Sequence, residues 1–156
     1  MSDDLVMVER WTTMNRVHKK IEARIEGDLR RHVGLGAREF SALGALRRGT
    51  WAGKGSLYLG DLAAVVGLSQ SATSRLVARL QDRGLITIRT SSDDRRSIEI
   101  ELTAVAHDTL RIGTPVLHRA VTGAVRQMAA EDTDGELLRY LWGEPSDTDA
   151  SPERCG

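Results

Sequence analysis

The sequence predicts a mainly α-helical chain with a small β-wing, a winged helix-turn-helix flanked by dimerisation helices. Three observations predict it. Apolar residues recur at helical spacing over most of the 156 residues. A short helix, a glycine, a serine and a longer helix follow one another between Leu59 and Arg83. Two alternating segments between Leu85 and Leu102 then form a hairpin.

The first element covers residues 1–33, an N-terminal dimerisation helix. Val17, Ile21, Ile25 and Leu29 repeat every four residues, and Trp11 and Met14 stand on a nearby face. Charged residues from Arg16 to Arg31 fill the other sides, and Ser2, Asp3 or Asp4 is placed to cap the start. A helix so long needs partner helices, and a second copy of itself is the natural one. Gly34 and Gly36 end it.

Residues 37–102 form the winged helix-turn-helix region. Its first helix, Ala37 to about Arg47, puts Phe40, Leu43 and Leu46 on one face. Gly49 to Ser56 holds three glycines and reads as a mobile loop, and Leu57 to Leu59 as a short strand. Leu59 to Val66 is a short helix that turns Leu62, Ala63 and Val66 inward. Gly67 suits a turn with a left-handed backbone. Ser69 caps a longer helix that Gly84 stops. Leu85 to Arg89 and Ser97 to Leu102 are strands, with a polar turn from Thr90 to Arg96 between them.

Residues 103–143 complete the chain with C-terminal dimerisation helices. Thr103 caps a helix reaching about Met128, in which Pro115 removes a backbone donor and should introduce a kink. A last short helix runs from about Thr133 to Trp142. Residues 144–156 read as a disordered acidic tail.

Composition sets limits on function. The chain has 22 basic and 22 acidic residues, and neutrality by itself argues against a nucleic-acid protein. The distribution argues the other way. Between Ser69 and Ile98 six arginines stand against three aspartates. The single cysteine, Cys155, forms no internal disulfide, and no apolar run reaches membrane-span length. A cytoplasmic protein without membrane contact is expected. His18, His32, His107 and His118 show no metal-ligand spacing. With no nucleophile–base pair and no phosphate loop, neither an enzyme nor a cofactor is expected.

The chemistry concentrates on the helix of residues 69–83. Thr73, Leu76, Val77 and Leu80 turn to the core, and Thr73 is also counted with the DNA-contacting set. The opposite face carries Gln70, Ser71, Ser74, Arg75 and Arg79. Short hydrogen-bonding groups followed by arginines a turn apart suit a recognition helix in the major groove. Arginine can grip guanine with two bonds, glutamine adenine, and amides at the Ser69 end can hold a phosphate. A charged helix face is most often merely solvated, and the short helix before this one is what favours DNA contact. Asp94, Arg95 and Arg96 lie at the hairpin tip in residues 90–96. A guanidinium there can enter a narrow minor groove, and Asp94 is spaced to hold Arg96.

The runs Gly67–Val77, Leu80–Ile86, Asp94–Arg96 and Leu102–Thr103 together resemble the MarR family of bacterial regulators. The resemblance implies a homodimeric transcriptional regulator, expected to repress, with two heads about one helical turn apart on a palindromic operator. It implies Arg96 as the minor-groove residue and Asp94 as its partner. It also implies release by a small, often aromatic, effector, for which Trp11, Met14 and Trp51 are the candidate lining. Trp11 and Met14 read more simply as ordinary dimer-core residues. The sequence departs from the pattern in three places. The loop to Ser56 is long, Gly36 stands where the family often has a capping threonine, and the acidic tail is additional. A winged-helix module for protein contacts, with no specific DNA binding, is the alternative.

Overall fold

The computed structural model describes residues 3–49, 57–90 and 98–131. These form α1 (Asp3–Val33), α2 (Ala37–Gly49), β1 (Leu57–Tyr58), α3 (Leu59–Val66), α4 (Gln70–Asp82), β2 (Ile86–Thr90), β3 (Ile98–Leu102) and α5 (Ala104–Ala130). The fold is mainly helical with one small sheet, as the periodicity predicts. Helix ends agree with the expected ones to within about two residues. Residues 50–56 and 91–97, the expected helix at 133–142 and the tail lie outside the described residues.

The described residues fall into two compact units, Glu26–Leu117 being one and the flanking parts of the chain the other. In the flanking unit Val17, Val125 and Met128 are buried together, with Ile21 and Val121 packed against them. The expected Val17–Ile21 stripe of α1 is thus apolar contact surface. α5 continues through Pro115 without interruption. Thr114, one residue earlier, donates its hydroxyl to the Leu110 carbonyl at 2.7 Å.

In the central unit the sheet is antiparallel with order β1-β3-β2. Ile86 pairs with Leu102, Ile88 with Ile100 and Thr90 with Ile98, so the hairpin closes in register. Two residues of β1 add a third strand, Leu57 opposite Ile100 and Tyr58 opposite Glu99. Ile86 and Ile100 are buried, while Thr87, Arg89 and Ile98 face water. Among the three apolar residues of β3, only Ile100 is fully buried; Leu102 is half-buried.

The start of α2 is capped in a way that its own sequence does not announce. The Gly36 amide donates to Glu39 Oε2 at 3.0 Å, and the Ala37 amide donates to Glu26 Oε2 at 2.6 Å. Two carboxylates therefore stand at the helix N-terminus, one from the first turn of α2 and one from α1. Both satisfy orphan donors and oppose the positive end of the helix dipole. Arg30 Nε closes the group on Glu26 Oε1 at 2.6 Å. The bond from Ala37, with the help of Arg30, holds the Glu26 carboxyl below its ordinary value.

A carboxylate lowered in the folded state stabilises that state above its unfolded pKa. The contribution fades as pH falls through the folded value. Stability should therefore drop, in part through Glu26, as acid takes the pH below the ordinary carboxylate range. Glu26→Gln keeps an acceptor for Ala37 but no titration, so its melting temperature should vary less with acid. Identical pH profiles of melting temperature for the two proteins would count against the assignment.

Candidate nucleic-acid interface

Gly67 follows α3 with φ 67° and its amide donates to the Ala63 carbonyl. The Leu68 amide reaches the same carbonyl at 3.2 Å. A residue with a Cβ at Gly67 would meet the steric cost of the left-handed region, about 1–2 kcal/mol. This tight stop places Ser69 at the start of α4. The Ser69 side chain accepts from the Ala72 amide at 3.2 Å, the expected N-cap.

α4 ends on the same principle. The Leu85 amide bonds the Leu80 carbonyl at 3.0 Å and the Gly84 amide bonds that of Gln81 at 2.9 Å, with Gly84 at φ 70°. The paired bonds satisfy the last carbonyls and turn the chain sharply into β2. Thr103 then secures this corner. Its hydroxyl donates to the Gly84 carbonyl at 2.8 Å and accepts from the Ala106 amide at 3.3 Å. One side chain thus caps α5 and holds the end of α4.

Leu76, Val77 and Leu80 are buried, each worth roughly 1.5–3 kcal/mol in transfer from water. Their burial fixes which face of α4 is left outside. That face carries Gln70, Ser71, Ser74, Arg75 and Arg79, all exposed. Ser71 Oγ lies 3.3 Å from Ser69 Oγ. Arg75 has no ion-pair partner among the described residues.

Thr73 requires a correction. It is fully buried, at 0% exposure, and its hydroxyl donates to the Ser69 carbonyl at 2.9 Å. Its place on the inward stripe overrides its place in the DNA-contacting run, and it supports α4 from beneath. Arg79 differs from expectation in another way. Its Nε lies 3.5 Å from Oε1 of Glu39, a residue that the sequence reading left unassigned. Arg83 approaches the other oxygen of the same carboxylate at 3.6 Å.

Next to the hairpin tip, Arg89 pairs diagonally with Glu101 at 3.1 Å. Asp94, Arg95 and Arg96 lie outside the described residues, as does Trp51. Trp11 and Met14 belong to α1, where they are 60% and 52% exposed. A groove of about 450 Å³ on α1 is lined by Thr12, Asn15, Arg16, Lys19, Lys20 and Ala23, and neither Trp11 nor Met14 lines it. Among the described residues no helix is long and apolar enough to cross a membrane.

Residues 33–97 match the model of the MarR family. None of the curated proteins matches the chain by sequence. In fold, the chain is similar to AbsC, a MarR family transcriptional regulator from Streptomyces coelicolor. The identity is 21% and the TM-score 0.69, with 92% of this chain and 97% of AbsC covered. It is similar to Sco3205, a MarR family transcriptional regulator from the same organism solved in complex with DNA. There the identity is 22% and the TM-score 0.68, with 96% of each chain covered. It is also similar to Bordetella bronchiseptica BpsR, whose DNA binding is regulated by 6-hydroxynicotinic acid. That likeness has 21% identity and a TM-score of 0.64, with 88% of this chain and 91% of BpsR covered.

Proposed function

We propose that this chain, which carries a MarR-family segment over residues 33–97 and the fold of MarR-family regulators, binds double-stranded DNA as a homodimeric transcriptional repressor. The observation that carries the reading is the two-sidedness of α4. Thr73, Leu76, Val77 and Leu80 lock one face into the core, and Gln70, Ser71, Ser74 and Arg75 are exposed on the other. A capped helix with that face outward suits the major groove, with its N-terminal residues at base edges and phosphates. In the wing, Arg96 is assigned to the minor groove, with Arg95 beside it and Asp94 as the partner of Arg96.

Two copies acting together are supported by α1. Leu5, Val6, Met7, Val8, Trp11 and Met14 are all exposed on the single chain. So much apolar surface on one helix is suited to covering by a second copy. A small aromatic effector that lowers DNA affinity completes the proposal. BpsR supplies the parallel, and Trp11, Met14 and Trp51 remain the candidate lining.

Selection of bound duplexes from a random pool, followed by a salt titration on the winners, tests the reading. A palindromic consensus is expected, with affinity falling steeply as salt rises, because each neutralised phosphate releases counterion. Failure to enrich any duplex, or binding indifferent to salt, would favour a winged helix used for protein contacts.

A further inference from the structure

We infer that Glu39 is a restraint on DNA affinity: it holds Arg79 and Arg83 back from the phosphates and so limits the sequence-independent part of binding. The inference rests on the DNA-binding reading above and goes beyond it. Glu39 stands in the first turn of α2, with its side chain only 13% exposed. One oxygen lies 3.5 Å from Arg79 Nε and the other 3.6 Å from Arg83 Nη1. The second oxygen also accepts the Gly36 amide at 3.0 Å, which fixes the carboxylate in place.

These distances are longer than those of a tight charged hydrogen bond, so the attraction is one of charge more than of directed bonding. It is nonetheless better placed than an ordinary surface pair. The side chain is mostly shielded from water, and its carboxylate is already ordered by the backbone and flanked by two cations. Arg83 also reaches the connection between α1 and α2. Its Nη2 lies 3.2 Å from the point where a Cβ on Gly34 would stand. Arg75 has no such counter-charge among the described residues.

The arginines of α4 are therefore of two kinds. Arg75 is available to the duplex, whereas Arg79 and Arg83 are largely spent on Glu39. Phosphate contacts raise affinity for every sequence alike, so withholding two of them lowers background binding more than it lowers discrimination. The overall neutrality of the chain is consistent with such restraint.

The test is a cycle of full-length variants, measured on a random-sequence duplex and on the selected operator across a range of salt. Glu39→Gln keeps an acceptor for the Gly36 amide but loses the charge. It should bind random duplex about three- to tenfold more tightly at low salt and steepen the salt slope by about one to two. Operator affinity should rise by a similar factor, because phosphate contacts do not read sequence. Arg79→Gln should lower the affinity of the parent much less than that of the Glu39→Gln protein, where it should take back most of the gain. An unchanged salt slope in Glu39→Gln would overturn the inference and leave DNA binding intact. So would a loss of about one unit of slope from Arg79→Gln in the parent, which decides the matter alone if Glu39→Gln folds poorly. A parent that binds neither duplex would remove the DNA-binding reading and this inference with it.

Discussion

Arg75→Ala should weaken operator binding by about ten- to a hundredfold, or 1–3 kcal/mol, without changing the melting temperature of the free protein. The side chain is exposed on the outer face of α4, one turn beyond its capped start, and carries no ion pair within the described residues. Its removal exposes no core and breaks no network, so the folded state should not register it. What it loses depends on what it touches. If it holds a guanine, affinity for the operator should fall and that for random duplex should not, with tolerance appearing at one base pair. If it holds a phosphate, both should fall together and the salt slope should drop by about one. Unaltered affinity on both duplexes would take Arg75 out of the interface. It would also undo the assignment of this face of α4 to the groove.

Gly113→Ala should destabilise the protein by about 1–3 kcal/mol, the reverse of what the substitution does in an open helix. In the interior of a helix, alanine is ordinarily better than glycine by about 1 kcal/mol. Gly113 lies in α5, and a Cβ there would collide with Phe40 Cε2 and stand 2.7 Å from Phe40 Cζ. The Phe40 ring is itself buried, so it has little room to retreat. The two residues form a lock in which a missing side chain on α5 receives a large one from α2. Denaturant unfolding at fixed protein concentration measures the cost. Phe40→Leu should recover part of the loss in the Gly113→Ala protein while being destabilising in the parent. A gain in stability from Gly113→Ala alone would mean that the ring is free to move.

Both predictions depend on features of unequal legibility. The punctuation of α3 and α4 was readable in advance. Gly67, Ser69 and Gly84 act through bonds that span five residues or fewer. Their roles follow from residue type and spacing. The inward stripe of Leu76, Val77 and Leu80, and with it the outward face, follows from helical period alone. The two strands of the hairpin stand where the alternation puts them. Thr73 shows the limit within the same helix. Its residue type suits a DNA contact and its position suits the core, and position prevails because burial is settled by the helix as a whole.

The helix order, the turn residues and the side of α4 that faces water were determined by sequence, because each depends on interactions among near neighbours along the chain. Tertiary structure alone decided that Glu26 caps α2 from another helix, that Phe40 fills the gap at Gly113, and that Glu39 takes hold of Arg79, forty positions away. No spacing rule reaches so far. Which charges and surfaces meet across elements is set by how the helices pack, and packing belongs to the whole domain.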